Sequence, residues 1–376
     1  MGRDRTAAGR HLHGGRRVSR IHPPRTLAGR SAIALLLMGG AFALFWWRGP
    51  SFHAVGDAFS AVEWQWVAVA IGFNVLSVVV RALAWNTVIR QAMPEPYPSP
   101  LTVFSAFSVG LFANAVLPGR IGELARVGVL VRKLPKRKGL WATLVGTVFA
   151  HRVFDIVPVL LLILYVTVTA KVPAWAISIL IAVVGIGAAL FALAFFTART
   201  QHVTRSDGMT AFRRVVTMGR AGLGVMRTPL GMAVAVTFQI SGWVCQLFAV
   251  WTAMRAFGIH APLPAAGVVL LVMNVITIVP IWPGNVGAVQ LAIAAPLRSS
   301  YGVASAIGIA YGFGLQAIEA SVGIGVGLLF LGREGLSFAM LKVMPGAAQA
   351  EMGEEEAAAR EEERESVRAE RAGVPG

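Results

Sequence analysis

Charge is what this chain lacks. Only 14% of its 376 residues are Asp, Glu, Lys or Arg, while 56% are hydrophobic. Such a composition excludes a soluble globular domain and leaves a polytopic membrane protein. Acids are the scarcest class: of 18, nine fall in the tail Glu351 to Arg371, so residues 1–350 carry nine acids against 30 Lys and Arg. Cysteine is reduced to Cys245, which excludes an intramolecular disulfide. The chain also lacks a Cys/His cluster, a Gly-x-Ser-x-Gly elbow and a phosphate-binding Gly-Lys-Ser/Thr loop. The reading therefore assigns no catalytic residue, no metal, no cofactor and no ATP hydrolysis, and leaves enzyme status open.

What is present is a series of long apolar runs from Ser31 to Leu341, separated by basic loops. The basic excess sits in short connections between spans, where topology and anionic lipid explain it better than nucleic acid does, so no nucleic-acid partner is expected. The first 30 residues hold eight arginines and one acid ahead of the apolar run Ser31 to Trp47. A signal peptide or transit segment would look similar. A retained first helix is preferred, because no small-residue cleavage site follows and Phe45, Trp46, Trp47 and Arg48 resemble an interfacial anchor.

Loop charge then sets a topology. A cytoplasmic N-terminus sends Ser31 to Trp47 outward and Trp64 to Ile89 inward. The next basic loop, Arg132 to Lys138, also belongs inside, although the hydrophobic stretch Leu101 to Val131 intervenes. A re-entrant hairpin turning near Asn114 to Gly119 removes the conflict. Leu140 to Ala170 and Ala174 to Phe196 cross next, and the loop Thr197 to Pro229, with six arginines, returns to the cytoplasmic side. Within it, Met209 to Arg227 reads either as an amphipathic helix on anionic lipid or as a solvated loop. Leu230 to Phe257 and Ala304 to Leu331 cross, so Pro264 to Gly302 is a second hairpin entering from the opposite face. The expected fold is all-α: a polytopic membrane bundle of about six full spans plus two re-entrant hairpins, 101–131 and 264–302, in a pseudo-inverted repeat. Residues 1–30 form a basic tail, 31–332 the transmembrane domain, and 333–376 a charged tail that reads as a solvated extension or a docking segment. Both termini are expected in the cytoplasm, with a bacterial inner membrane as location.

Broken helices at membrane depth are tolerated only inside protein or beside a wet cavity. Both hairpin turns carry the same Pro-Gly-x-Ile/Val-Gly core, in NAVLPGRIGELAR (Asn114 to Arg126) and in VPIWPGNVGAVQ (Val279 to Gln290), which points to a binding site between two halves. In the first, Pro118 and Gly119 expose the N–H groups of a new half-helix, an anion-attracting end. Arg120 adds a fork suited to phosphate, and Glu123 and Arg126 follow on one helical face. An ion cluster that merely neutralises itself is the other reading of Arg120, Glu123 and Arg126. His151, Arg152 and Asp155 lie on the next span, one turn before Pro158; Arg152 and Asp155 pair or act, and His151 is suited by its titration range to proton coupling. The second turn offers Pro283, Gly284 and Asn285 without charge, and Glu319 in the last span is its charged counterpart. Gly308/Gly312 and Gly323/Gly327 read as close helix packing.

The three segments NAVLPGRIGELAR, HRVFD and PIWPGNVGAVQ resemble the transmembrane region of lysylphosphatidylglycerol synthases, also called flippase-like, over about residues 31–332. The resemblance implies importance for Asn114, Pro118, Gly119, Arg120, Gly122, Glu123, Arg126, Arg152, Asp155, Pro283, Gly284 and Gly287. Family members usually carry glutamate where this chain has His151, and again near Gln290, which argues against a cationic aminoacyl cargo and for a neutral or anionic headgroup. Bifunctional members continue into a soluble aminoacyltransferase; about 45 mostly polar residues follow Leu331 here, so lysyl transfer is not expected. The leading expectation is a lipid translocase that takes a phosphate-bearing headgroup of a phospholipid or polyprenyl-linked lipid through a polar cavity, alone or as a homo-oligomer. Two alternatives stand beside it. One is a membrane transferase with a lipid-linked donor, whose carboxylates would be Asp57 and Glu63; the other is a subunit partnering a glycosyltransferase or lipid-modifying enzyme.

Overall fold

The computed structural model describes residues 51–117, 121–135, 137, 139–171, 185, 189, 228–278 and 285–335. The expected span Ser31 to Trp47, the span Ala174 to Phe196 apart from Gly185 and Ala189, the segment Met209 to Arg227, residues 1–30 and residues 336–376 lie outside these residues. Among the described residues every regular element is a helix: α1 (Phe52–Ser60), α2 (Trp64–Ala92), α3 (Pro100–Val116), α4 (Gly122–Lys133), α5 (Leu140–Thr169), α6 (Pro229–Ala256), α7 (Leu263–Ile278), α8 (Ala288–Tyr301) and α9 (Ser305–Arg333). The chain is an all-α, polytopic membrane helical bundle.

Length sorts these helices into two kinds. Helices α2, α5, α6 and α9, of 28 to 30 residues, are long and apolar enough to cross a bilayer; at 1.5 Å per residue each spans about 42–45 Å. Helices α3 and α4, with 17 and 12 residues, and α7 and α8, with 16 and 14, are shorter; each reaches only about 18–26 Å, less than the roughly 30 Å hydrocarbon core. The order long, short, short, long thus occurs twice in the chain. One expected connection is different: the stretch between the first span and Trp64 contains α1. Ser51 starts it by accepting the Ala54 N–H at 3.3 Å, a serine N-cap that a hydropathy pass does not register.

The two sets of four pack by one scheme. Helix α2 runs antiparallel to α6 along their full lengths, from the Glu63 N–H on the Ala256 carbonyl (2.9 Å), through the Ser77 hydroxyl on the Gly242 carbonyl (2.8 Å), to the Thr228 hydroxyl on Gln91 Oε1 (3.2 Å). Around this axis α3 packs on α9 as α7 packs on α5, α2 on α3 as α6 on α7, and α4 on α5 as α8 on α9. Each set has its own apolar core, one around Trp85, Leu130 and Leu144, the other around Met254, Ile293 and Tyr311. The ends of the long helices cross over. Leu162, Ile163 and Val166 of α5 enter the second core, and Val322, Phe330 and Leu331 of α9 enter the first. Leu164, Val168 and Leu329 point outward, 59%, 75% and 70% exposed, where lipid tails take the place of water.

Small residues let the short helices close on their neighbours. In the α3/α4 pair Gly110 faces Gly122 and Arg126, and Gly122 faces Asn114, an antiparallel contact at backbone distance. Gly308 and Gly312 do the same for α9 on α8, against Ala294 and Gln290, and Gly327 seats α9 on Phe112 and Ser108 of α3. At the end of α9, Glu334 accepts from the Ser105 hydroxyl at 2.7 Å and from Lys133 Nζ at 3.0 Å. Partial burial opposes its ionisation, but these two donors outweigh that and hold the carboxyl below its usual range. The latch ties α3, α4 and α9 together.

A Cβ on Gly122 would run into the Gly110 carbonyl oxygen, which belongs to rigid backbone, whereas one on Gly72 meets nothing within 4 Å. Gly122→Ala is therefore expected to destabilise the bundle by about 1–3 kcal/mol. Gly72→Ala, in mid-helix, should be neutral or stabilising by up to about 1 kcal/mol. Thermal unfolding of the two variants in the same detergent compares them.

Candidate functional site

Between the two helix sets lies a polar cavity of about 670 Å³, within the usual range for small-ligand sites. Long helices supply Arg81 (α2), Arg152 (α5), Gln246 (α6) and Glu319 (α9) to its wall; short ones supply Asn114 (α3), Arg126 (α4) and Asn274 (α7). Val286, two residues before α8, also borders it. Helices α3, α4 and α7 therefore meet on one cavity, and an asparagine sits at the turn of each short pair. Asn114 Oδ1 accepts the Gly122 N–H at 2.9 Å, capping the start of α4. Asn285 Nδ2 donates to the Ile276 carbonyl at 2.9 Å from a backbone with φ of 47°, a left-handed conformation that asparagine tolerates better than most residues. Beside it, Gln290 Oε1 accepts the Gly287 N–H at 2.5 Å while its amide donates to Gln316 Oε1 at 2.7 Å.

The charged residues form one chain rather than separate pairs. Arg126 Nη2 sits 2.5 Å from Glu123 Oε2, at the expected three-residue spacing on α4. Glu123 is bound from the other side by Arg152 of α5. Arg152 also contacts Asp155 at 3.2 Å, and Asp155 takes a further contact from Arg81 of α2 at 3.1 Å. Asp155 completes its shell with the Trp243 indole N–H at 2.9 Å and the Gln239 amide, both from α6. Five charges on three helices are thereby coupled, three guanidinia against two carboxylates, for a sum of +1. The expectation of an isolated Arg152/Asp155 pair is too small: Asp155 joins α2, α5 and α6.

Arg126 is only 4% exposed. Its guanidinium lies 4.6 Å from the centre of the Trp85 ring and 5.5 Å from that of Phe107, close enough for cation–π attraction to offset part of its lost hydration. The Trp85 ring is itself held by its N–H on Thr147 Oγ1 at 3.1 Å. Arg126 Nε and Arg81 Nε are buried without a hydrogen-bond partner among the described residues. His151 is buried edge-on to Phe107, with both ring nitrogens lacking a partner there. Elsewhere on the lining Glu319 accepts from the Gln246 amide at 2.9 Å; no described cation contacts it.

Of the residues expected at a site, Asn114, Arg126, His151, Arg152 and Glu319 line this cavity, Glu123 and Asp155 belong to the charge chain bordering it, Gly122 is bonded to Asn114, and Asn285 caps the end of α7 outside the lining. Pro118, Gly119, Arg120, Pro283 and Gly284 lie outside the described residues. Asp57 and Glu63 stand apart, bonded to His53 and Gln65 at 3.1 Å each. Arg81, Gln239, Trp243, Gln246 and Gln316 join the cavity or its charge chain without having been expected there. A single arginine in the middle of the 29-residue apolar helix α2 was the signal for Arg81; neutral amides in apolar helices give none.

Residues 31–327 match the model of the lysylphosphatidylglycerol synthase TM region. The chain belongs to this family. Within the curated proteins, a UPF0104 membrane protein, PH1989, of Pyrococcus horikoshii is 27% identical over 116 residues. That match covers 31% of this chain and 33% of the relative's length. No solved structure matches the chain. Membership in a lysylphosphatidylglycerol synthase TM family fits a cavity whose charges sit among helices of an integral membrane protein.

Removing Asp155 would leave Arg81 and Arg152 facing each other without their shared counter-charge. Asp155→Ala is expected to lower stability by about 3 kcal/mol, and adding Arg81→Met to recover part of the loss. A double-mutant cycle of thermal or denaturant unfolding measures both numbers.

Proposed function

We propose that this protein moves a lipid across the membrane, the phosphate-bearing headgroup passing through the central cavity while its tails stay in the bilayer. The observation that carries the proposal is the cavity itself: it lies between the two helix sets and is bordered by Arg81, Arg126 and Arg152, three guanidinia against the two carboxylates they contact. Phosphate oxygens are the acceptors such forks suit best.

Each short pair, α3/α4 and α7/α8, enters and leaves by the same face as a re-entrant hairpin. In support, none of the four is long enough to cross. The halves are inverted repeats. If α2 and α6 are equivalent helices, their antiparallel packing requires a two-fold axis perpendicular to them, in the membrane plane, and the exchange of neighbours around them is what such an axis would produce. Arg120 and the half-helix starts at both tips belong to the headgroup path, as do Pro118, Gly119, Pro283 and Gly284. The protein sits in a bacterial plasma membrane with both termini cytoplasmic, as the basic loops favour. Without an ATP-hydrolysing motif, direction comes from an ion gradient or from removal of the lipid on the far side.

Leaflet exchange of fluorescent phospholipids in proteoliposomes tests the proposal. Wild-type protein should accelerate exchange, and Arg126→Ala should slow it by about ten-fold or more, the equivalent of one charge-assisted contact at 1.5–3 kcal/mol. Arg126→Lys, which keeps charge but loses the planar fork, should fall between. Protein that is folded by its thermal transition yet exchanges no lipid, or exchanges it equally well as Arg126→Ala, would overturn the reading.

A further inference from the structure

The cavity's two walls differ in sign. On the first helix set, Arg81, Arg126 and Arg152 outnumber Glu123 and Asp155, and both carboxylates are committed to those arginines. Glu123 meets two guanidinia, while Asp155 meets two guanidinia, an indole and an amide. This wall can accept negative charge but has no free carboxylate for a cation. On the second set the order is reversed. Among the described residues of that set Glu319 is the carboxylate that borders the cavity, its described partner is the neutral Gln246 amide at 2.9 Å, and Asn274 and Gln316 also line the cavity. The contacts of Arg81 are directed at Asp155. The cavity thus holds more guanidinia than the carboxylates they contact and, separately, a carboxylate that no described cation contacts. In a low-dielectric interior that separation is costly unless something bridges it.

We infer that the occupant is a zwitterionic headgroup, one bearing a phosphate and a primary ammonium. The phosphate lies against the arginine wall and the ammonium donates to Glu319. This assignment rests on the reading of the cavity as a headgroup site. A purely anionic headgroup satisfies Arg126 and Arg81 but leaves Glu319 facing it with like charge. A headgroup carrying two ammonium groups finds a single carboxylate.

The full chain in proteoliposomes, with acyl-labelled phosphatidylethanolamine and phosphatidylglycerol compared side by side, gives the test. Wild type should exchange phosphatidylethanolamine about ten-fold faster than phosphatidylglycerol, and Glu319→Gln, which keeps shape and the Gln246 neighbour, should abolish that preference. Equal rates in wild type, or a preference that survives Glu319→Gln, would overturn the inference while leaving translocation intact. Binding of dihexanoyl phosphatidylethanolamine and dihexanoyl phosphatidylglycerol to the detergent-solubilised protein separates the two claims. Selective binding of the former, lost in Glu319→Gln, upholds the headgroup class even if no leaflet exchange occurs; equal binding overturns it. Phosphoethanolamine that competes as well as the short-chain lipid would uphold the zwitterion and overturn lipid as its source.

Discussion

A carboxylate shared between arginines of different helices is the constraint on which the rest of this structure depends. Charges inside a bilayer are expensive unless matched, and an unmatched one there costs several kcal/mol. Glu123 joins α4 to α5, and Asp155 joins α5 to α2 and, through Trp243 and Gln239, to α6. Every one of these contacts crosses between helices that the apolar cores alone would allow to slide. Leucine and valine surfaces fit each other in many registers, whereas a guanidinium finds its carboxylate in one. The ion chain therefore fixes the angular and axial position of the short α4 against its long neighbours, and with it the position of the cavity wall.

The same economy of polar groups shapes the second half differently. Where the first half closes its tip with Asn114 on the start of α4, the second uses Asn285 on the end of α7 and Gln290 at the start of α8. Amides do there what charges do in the first half. On the cavity lining the first set contributes Arg81, Arg126 and Arg152 and the second contributes Glu319, so the two sets of four enclose a cavity without electrostatic symmetry.

Much of this was legible in the sequence because membrane helices announce themselves by uninterrupted hydropathy. The four described spans begin and end within three residues of the expected Trp64 to Ile89, Leu140 to Ala170, Leu230 to Phe257 and Ala304 to Leu331. Both pairs of short helices were visible through Pro-Gly breaks in otherwise apolar runs. The site was legible where charge marks it: Glu123, Arg126, Asp155 and Glu319 are rare acids and bases in greasy surroundings. It was not legible in who partners whom. Spacing of three residues shows that Arg152 faces Asp155, but only the packing of α2 and α4 against α5 reveals that Arg81 and Glu123 complete the chain. Gln239, Gln246 and Gln316 gave no warning, since a neutral amide in a helix is as consistent with a lipid-facing slip in the pattern as with a cavity. Helix α1 escaped for a local reason, a serine cap and nine residues being too little for a hydropathy window.

The central claim, that the tips of the short helices border a wet polar cavity inside a membrane bundle, is tested most directly by thiol accessibility. With Cys245 replaced by serine, single cysteines are placed at Asn274 and Ala320 on the cavity wall and at Leu164 and Leu329 on the lipid face, in protein reconstituted into liposomes. A charged, membrane-impermeant methanethiosulfonate should modify the first two and spare the second two. Modification of Leu164→Cys and Leu329→Cys with Asn274→Cys and Ala320→Cys inert would contradict it.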